Sequence, residues 1–173
     1  MLSTAAGPIG IFDSGYGGLT ILHGTRQLLP QCDYLYLGDN ARAPYGARSF
    51  DVVYEFTRQA VVRLFEEGCQ LVILGCNTAS AKALRTIQQQ DLPLIDPERR
   101  VLGIIRPTAE VIGSLTRSRH VGILAPRAPS RARAIRWRYR NFIPTSRSVE
   151  WLVRFGYRWW NIRKPTVRVP TIS

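Results

Sequence analysis

Three short segments carry side chains of the kinds that could move a proton, and each comes directly after an apolar run. They read DSGYGG, GDNARAPYG and GCNTAS, at 13–18, 38–46 and 75–80. Together they supply a carboxylate, a thiol, several hydroxyl and amide groups, and glycines that let a backbone approach a ligand. A thiol and a carboxylate with hydroxyl and N–H donors nearby can act as a base, a nucleophile or ligand contacts, provided that the fold brings the segments together.

Cys76 is the candidate base or nucleophile. It stands where the run LVILG stops and a helix-like stretch begins. A helix start offers unpaired N–H groups and the positive end of the macrodipole, which favour a thiolate over a thiol. The ordinary alternative is a small buried residue at a strand end. We assign that alternative to Cys32 and Cys69, because both precede their strands and so lie at the opposite edge of the sheet.

The other signals also have ordinary interpretations. Asp13 and Thr78 could each be a helix N-cap. The glycines of the first segment could form a tight turn, since the Lys-Ser/Thr of a phosphate-binding P-loop is missing. Tyr45 could be a packed aromatic within a loop whose Pro-Tyr-Gly run favours a turn.

The elements that must position these groups follow a regular alternation. Apolar, β-rich runs at 8–13, 33–38, 70–75, 101–105 and 120–125 alternate with helix-like stretches at 18–29, 49–67, 78–90 and 108–117. This pattern predicts an α/β fold with a doubly wound parallel sheet. Ser49 and Thr78 suit N-caps, and Gly68 suits the C′ position. Because chemistry collects beyond the carboxyl ends of parallel strands, we expect the three segments to meet at one edge.

The amino-acid sequences of these segments resemble those of a known protein family. The runs IGIFDSGYGGLTIL, YLGDNARAPYGARS, LVILGCNTASAKAL and LGIIRPTAE resemble the first half of glutamate racemases, the cofactor-independent enzymes that supply D-glutamate for peptidoglycan. The likeness covers residues 8–125, which we interpret as one α/β lobe of a two-lobed racemase.

The resemblance implies roles for individual residues. It implies that Cys76 is one of two catalytic thiols and that Asp13 is the acid that assists it. It further implies glutamate as substrate, no cofactor and no metal. An aspartate racemase of the same superfamily and a homo-oligomer stay open as alternatives. The remaining residues that the resemblance assigns to substrate binding, together with Asp13, are Ser14, Tyr45, Gly46, Asn77 and Thr78.

Racemisation needs a second base on the opposite face of the substrate. The family supplies it from a second lobe with a G-C-T-H motif, and nothing in residues 127–173 resembles that motif. Cys69 lies seven residues before Cys76, about 23 Å away along a strand at roughly 3.3 Å per residue. We therefore predict that this chain lacks the second catalytic cysteine and is inactive or severely impaired.

The end of the chain differs sharply in composition. Residues 1–126 hold 12 basic and 11 acidic residues, whereas residues 127–173 hold 12 basic residues, one acidic residue and all four tryptophans. We place a boundary near Ala125 and interpret 126–173 as a non-native or disordered, frame-shifted tail. Another reading frame after codon 125 should then encode the second lobe. The alternatives are a genuine extension, or a non-catalytic protein with a nucleic-acid arm in which IRWRYR offers cationic and aromatic faces; we do not favour nucleic acid as a partner.

The sequence lacks the patterns typical of membrane spans, signal peptides, disulfide frameworks and zinc sites. No apolar run reaches the roughly 18 to 20 residues of a membrane span, and the first residues lack the basic region of a signal peptide. The three cysteines form no CxxC pair and only two histidines accompany them, which favours neither a disulfide framework nor a zinc site. We expect a cytoplasmic chain with reduced thiols and no membrane partner.

Overall fold

A computed structural model describes residues 7–115, 120–126, 148–155 and 158–161 of the 173. Contacts divide the chain into two units between Pro107 and Thr108, which are described separately. No helix in the described ranges is long and apolar enough to cross a membrane. The strands are β1 Ile9–Asp13, β2 Tyr34–Gly38, β3 Leu71–Leu74, β4 Arg100–Gly103, β5 His120–Pro126, β6 Ser148–Phe155 and β7 Arg158–Asn161. The helices are α1 Gly18–Leu28, α2 Phe50–Glu66, α3 Asn77–Lys82, α4 Leu84–Thr86, α5 Leu92–Ile95 and α6 Ile105–Leu115.

The first unit is built on a four-stranded sheet in the order β2-β1-β3-β4. All three strand pairs are parallel, and Ile9 at the start of β1 lies level with Tyr34 of β2 and Leu71 of β3. The parallel α/β fold predicted from the alternation of elements is confirmed.

Helices cover both faces of this sheet, because alternate residues of β1 contact different helices. A Cβ built on Gly10 would lie 3.2 Å from Leu64 of α2, whereas one built on Gly18 of α1 would lie 2.6 Å from the Cβ of Asp13. The main apolar core lies on the α2 side, where Phe12 and Leu64 are fully buried. The α2 helix contributes to it a stripe of buried residues at helical spacing, Val53, Thr57, Ala60, Val61, Leu64 and Phe65.

Two of the three predicted helix caps are confirmed. The Ser49 hydroxyl accepts a hydrogen bond from the N–H of Val52 at 3.3 Å. Gly68 has φ +90°, the left-handed conformation that a C′ residue needs. The assignment of Thr78 as an N-cap was wrong: α3 begins one residue earlier, at Asn77, and Cys76 is its N-cap. Cys76 takes the N-cap position because β3 ends at Leu74 and the chain turns into α3 immediately afterwards.

The helix expected at 78–90 is instead a series of short helical pieces. It consists of α3, α4, a π-helical turn at Ile87–Asp91, and α5. The sheet lies very close to this series, since a Cβ on Gly103 of β4 would lie 2.7 Å from Leu84 and 3.0 Å from the Ser80 hydroxyl. Such close packing is a tertiary constraint that helical periodicity does not reveal.

The second unit contains a three-stranded sheet in the order β5-β6-β7. The β5 strand, which we expected to continue the alternation of the first sheet, pairs in parallel over its whole length with β6, and β7 pairs antiparallel to β6. The partner strand β6 has the sequence SVEWLVRF, whose β-branched and aromatic residues favour a strand. The described strands β6 and β7 fall within the segment 126–173, while IRWRYR lies outside the described residues. The boundary near Ala125 and the non-native origin of the tail stay predictions.

Candidate active site

The ends of three neighbouring strands are tied together through main-chain atoms. The N–H of Asp39, just after β2, donates to the carbonyl of Asp13 at 2.9 Å. The N–H of Gly75, just after β3, donates to the carbonyl of Phe12 at 2.8 Å. The expectation that the three polar segments meet at one edge of the sheet is therefore confirmed.

Cys76 lies at this edge with its sulfur held from two sides. Its Sγ accepts a hydrogen bond from the N–H of Ala79 at 3.4 Å, which satisfies one of the unpaired donors at the start of α3. The hydroxyl of Ser14, which follows β1, lies 3.2 Å from the same sulfur. The residue is 6% exposed. A thiol in this position faces N–H and hydroxyl groups that can stabilise negative charge on it.

Asp13 orders the glycine turn that follows β1. Its Oδ2 accepts a hydrogen bond from the N–H of Gly15 at 3.1 Å, and the residue is buried. It is not the N-cap of α1, because Gly17 holds that position without a side-chain bond. Asp13 therefore fixes the backbone on which Ser14 sits, and Ser14 connects this turn with the thiol.

Tyr45, which belongs to the second polar segment, is fully buried. Its ring lies 6.2 Å from the ring of Phe12 and 5.7 Å from that of Phe56, measured between centroids. Its hydroxyl donates to the carboxylate of Asp39, and burial together with this bond raises the pKa of Tyr45. The hydroxyl is therefore engaged with Asp39, and the neighbouring Gly46 is half-buried.

The other two predicted binding residues lie in the first turn of α3. Asn77 is exposed and Thr78 is half-buried. The turn is held against the sheet by Ser80, whose buried hydroxyl donates to the carbonyl of Leu74 at 3.0 Å. Both residues therefore follow Cys76 on a helix that is anchored to the strand before it.

Sequence reasoning missed three residues that organise this site. Asp39 accepts hydrogen bonds from Tyr45 and, at 2.6 Å, from the Nε of Arg42. Arg42 in turn donates to Gln59 of α2 at 2.7 Å. Tyr36 donates to the carbonyl of Gly15 at 3.0 Å. A signal for Asp39 was available, since it stands directly after β2, much as Asp13 stands at the last position of β1.

Of the remaining thiols, Cys69 has the buried position expected of it, whereas Cys32 is less buried. Cys69 is fully buried in the core at the start of β3, and its sulfur lies 3.1 Å from where a Cβ of Gly10 would be. Burial raises the pKa of the Cys69 thiol. Cys32 is half-buried before β2. Within the described ranges, no three His, Cys, Asp or Glu residues are grouped so as to hold a metal ion.

Comparison with known protein sequences identifies relatives of this chain. Over 120 residues the chain is 48% identical to the glutamate racemase of Roseobacter denitrificans. The chain is homologous to glutamate racemases. This alignment covers 66% of the chain but 44% of the relative, so the chain spans less than half the length of that relative. No family model matches the chain.

Solved structures give the same relationship for the fold. The glutamate racemase of Aquifex pyrophilus superposes with a TM-score of 0.73 at 30% identity, over 87% of this chain and 56% of that one. The glutamate racemase of Francisella tularensis, solved in complex with D-glutamate, superposes with a TM-score of 0.69 at 29% identity, over 86% and 53%. The homology to glutamate racemases predicted from the sequence motifs is confirmed, and these relatives are by name isomerases.

Proposed function

We propose that this chain carries one half of a cofactor-independent racemase site for glutamate, with Cys76 as the base on one face of the substrate. The single observation that carries the proposal is the setting of Cys76. Its sulfur lies within hydrogen-bonding distance of Ser14 and Ala79, at the point where three strand ends meet. Homology to glutamate racemases supports glutamate as the substrate in this proposal.

The chemistry is a proton transfer from carbon to sulfur. The Cys76 thiolate removes the α-proton of glutamate and becomes a thiol, and the electron pair left on the α-carbon delocalises into the adjacent carboxylate. Fixed N–H and hydroxyl donors stabilise the charge that develops there. We assign this role to Ser14, to Asn77 and Thr78 on the first turn of α3, and to main-chain groups near Tyr45 and Gly46. Asp13 assists by ordering the turn that carries Ser14.

A site with one base can exchange the α-proton of its substrate but cannot invert the α-carbon. A proton returned by the same thiol reaches the face from which it came, so inversion requires a second group on the other side. Cys69 is buried in the core at the opposite end of β3, and Cys32 precedes β2. We therefore propose that the chain exchanges the α-proton of one glutamate enantiomer with solvent without inverting it.

The test follows the α-proton and the handedness separately. Each enantiomer of glutamate, and each of aspartate, is incubated in D₂O with the full chain. Deuteration is followed by NMR and handedness by chiral chromatography. We expect deuteration of one glutamate enantiomer, no change of handedness and little exchange of aspartate. Cys76→Ala should abolish the exchange, whereas the matched control Cys32→Ala should retain it.

The outcomes separate the parts of the proposal. Absence of exchange that depends on Cys76 would refute its role as base. Faster exchange of aspartate would assign the site to the related amino acid. Full racemisation would show that a second base is present, supplied by another part of the chain or by another copy of it.

A further inference from the structure

Two tyrosines on β2 hold the two ends of the α1 segment. Tyr34 and Tyr36 are two residues apart, so their side chains lie on the same face of the strand. The Tyr34 hydroxyl donates to the carbonyl of Leu29, just after α1, at 2.8 Å and also lies 3.2 Å from the carbonyl of Thr25 in the same helix. The Tyr36 hydroxyl donates to the carbonyl of Gly15, just before α1, at 3.0 Å. Equivalent bonds thus lie at opposite edges of the sheet, and only the bond of Tyr36 is near Cys76.

Gly15 is fixed through both of its main-chain polar groups. Its N–H donates to the carboxylate of Asp13, and its carbonyl accepts from Tyr36. The peptides on both sides of Gly15 are therefore constrained: the Ser14–Gly15 peptide by Asp13 of β1, and the Gly15–Tyr16 peptide by Tyr36 of β2. Since the Ser14 hydroxyl lies 3.2 Å from the Cys76 sulfur, the direction of that hydroxyl depends on how these two peptides are held.

The Tyr36 ring fills a narrow space between glycines. A Cβ on Gly18 would lie 3.3 Å from the ring, and a Cβ on Gly38 would lie 3.1 Å both from the ring and from the carbonyl oxygen of Gly15. Burial raises the pKa of Tyr36 above its ordinary value, and electrostatic interactions with Asp13 and Cys76 add to the rise. The hydroxyl is therefore protonated near neutral pH and is available as a donor.

We propose that Tyr36 is a positioning residue of this site: it holds the Gly15 carbonyl, and through Gly15 it sets the Ser14 hydroxyl against the Cys76 sulfur. Its interpretation as part of a racemase site rests on the proposed function, but its effect on the thiol does not. Tyr36 itself need not touch the substrate. The chain of contacts is Tyr36 to Gly15, Gly15 to Ser14 through the backbone, and Ser14 to Cys76.

The test is a double-mutant cycle read at the thiol. The rate at which iodoacetamide alkylates Cys76 in the full native chain is measured by peptide mass spectrometry, with Cys32 in the same molecule as the internal reference. We expect Tyr36→Phe to change the Cys76 rate roughly two- to tenfold, the range that corresponds to the net free energy of one hydrogen bond. In a Ser14→Ala background the same change should have an effect of less than about twofold, because the residue through which Tyr36 acts is gone.

Tyr34→Phe is the matched control, since it removes the same hydroxyl from the same strand. A general loss of stability would add to the effect of Ser14→Ala, so additivity in the Tyr36 cycle would overturn the proposal. Equal coupling in the Tyr34 cycle, or an unchanged Cys76 rate in Tyr36→Phe, would overturn it as well.

Gly38→Ala is a second variant in case Tyr36→Phe folds poorly, because its Cβ presses on the same contact. It should show the same coupling to Ser14→Ala, and additivity would count against the proposal. Alkylation needs no glutamate. Coupling without Cys76-dependent exchange of glutamate would therefore support Tyr36 as a positioning residue and refute the proposed function alone.

Discussion

We expect the carboxylate of Asp39 to be a main source of stability in the loop that carries Tyr45. The substitution Asp39→Asn should measure how much its negative charge contributes to the free energy of unfolding. One oxygen, Oδ2, accepts from both the Tyr45 hydroxyl and the Arg42 Nε. The amide oxygen of asparagine can take the place of Oδ2, so the substitution keeps an acceptor and removes the charge. Hydrogen bonds to charged groups contribute about 1.5–3 kcal/mol, against about 1 kcal/mol for neutral ones.

The expected loss follows from the burial of the two donors. Tyr45 is 1% exposed, so the full difference of about 1 kcal/mol applies to its bond. The Arg42 side chain is 35% exposed, so solvent screening reduces its share to about half of that. We expect Asp39→Asn to lower the free energy of unfolding by about 1–2 kcal/mol. Asp39→Ala should cost about 3 kcal/mol, because it also leaves the buried Tyr45 hydroxyl without its acceptor.

Urea unfolding followed by far-ultraviolet circular dichroism is the assay. With a slope of roughly 2 kcal/mol per molar, Asp39→Asn should lower the midpoint by about 0.5–1 M. Asp33→Asn is the control, because Asp33 is an exposed carboxylate at the other end of β2, where we expect a change within about 0.5 kcal/mol. If the Asp39 and Asp33 variants unfold at the same urea concentration, the contacts of Asp39 with Tyr45 and Arg42 contribute nothing and the reasoning is wrong.

Two further predictions concern stability at alkaline pH and the end of α2. Because the pKa of Tyr45 is raised in the folded state, its protonation stabilises the fold below the ordinary tyrosine value of 10.0, and this contribution is lost as the pH rises beyond it. Urea midpoints between pH 8 and pH 11 should therefore fall less steeply for Tyr45→Phe than for the unaltered chain, and parallel curves would contradict this. Gly68→Ala should lower the free energy of unfolding by about 1–2 kcal/mol, because a φ of +90° disfavours a side chain. Gly24→Ala within α1 should instead raise the free energy of unfolding by up to about 1 kcal/mol. The same urea titration tests both variants, and a loss of stability in both would refute the conformational explanation.

Local sequence patterns predicted the elements and the edge where the site lies. The alternation of apolar runs and helical stretches sufficed for the parallel sheet, because burial on both faces imposes continuous apolar strands. Ser49 and Gly68 were predictable because each cap uses a residue type with a specific local property. Cys76 could be chosen from its position between a strand and a helix.

The remaining features depend on contacts between residues far apart in sequence. Tyr36 and Gly15 are 21 residues apart, so the bond between them has no local signature. Thr78 and Cys76 both offer a side-chain acceptor near the start of α3, and the choice between them depends on where the strand turns into the helix. The breaks in the helical series after Lys82 accompany close packing against Gly103, which no periodicity records.

The main-chain bonds that join the strand ends have a consequence for how this edge can change during evolution. The tips of β1, β2 and β3 are linked through the N–H groups of Asp39 and Gly75 and the carbonyls of Asp13 and Phe12, and every amino acid except proline offers the same N–H group. Because these bonds use no side chain, mutation of reactive residues beside them, such as Ser14 or Cys76, can alter the chemistry of the edge while its main-chain bonds are kept. A scaffold of this kind lets new specificities be sampled one side chain at a time, and it gives protein engineers a place to exchange the thiol at position 76 for other reactive groups.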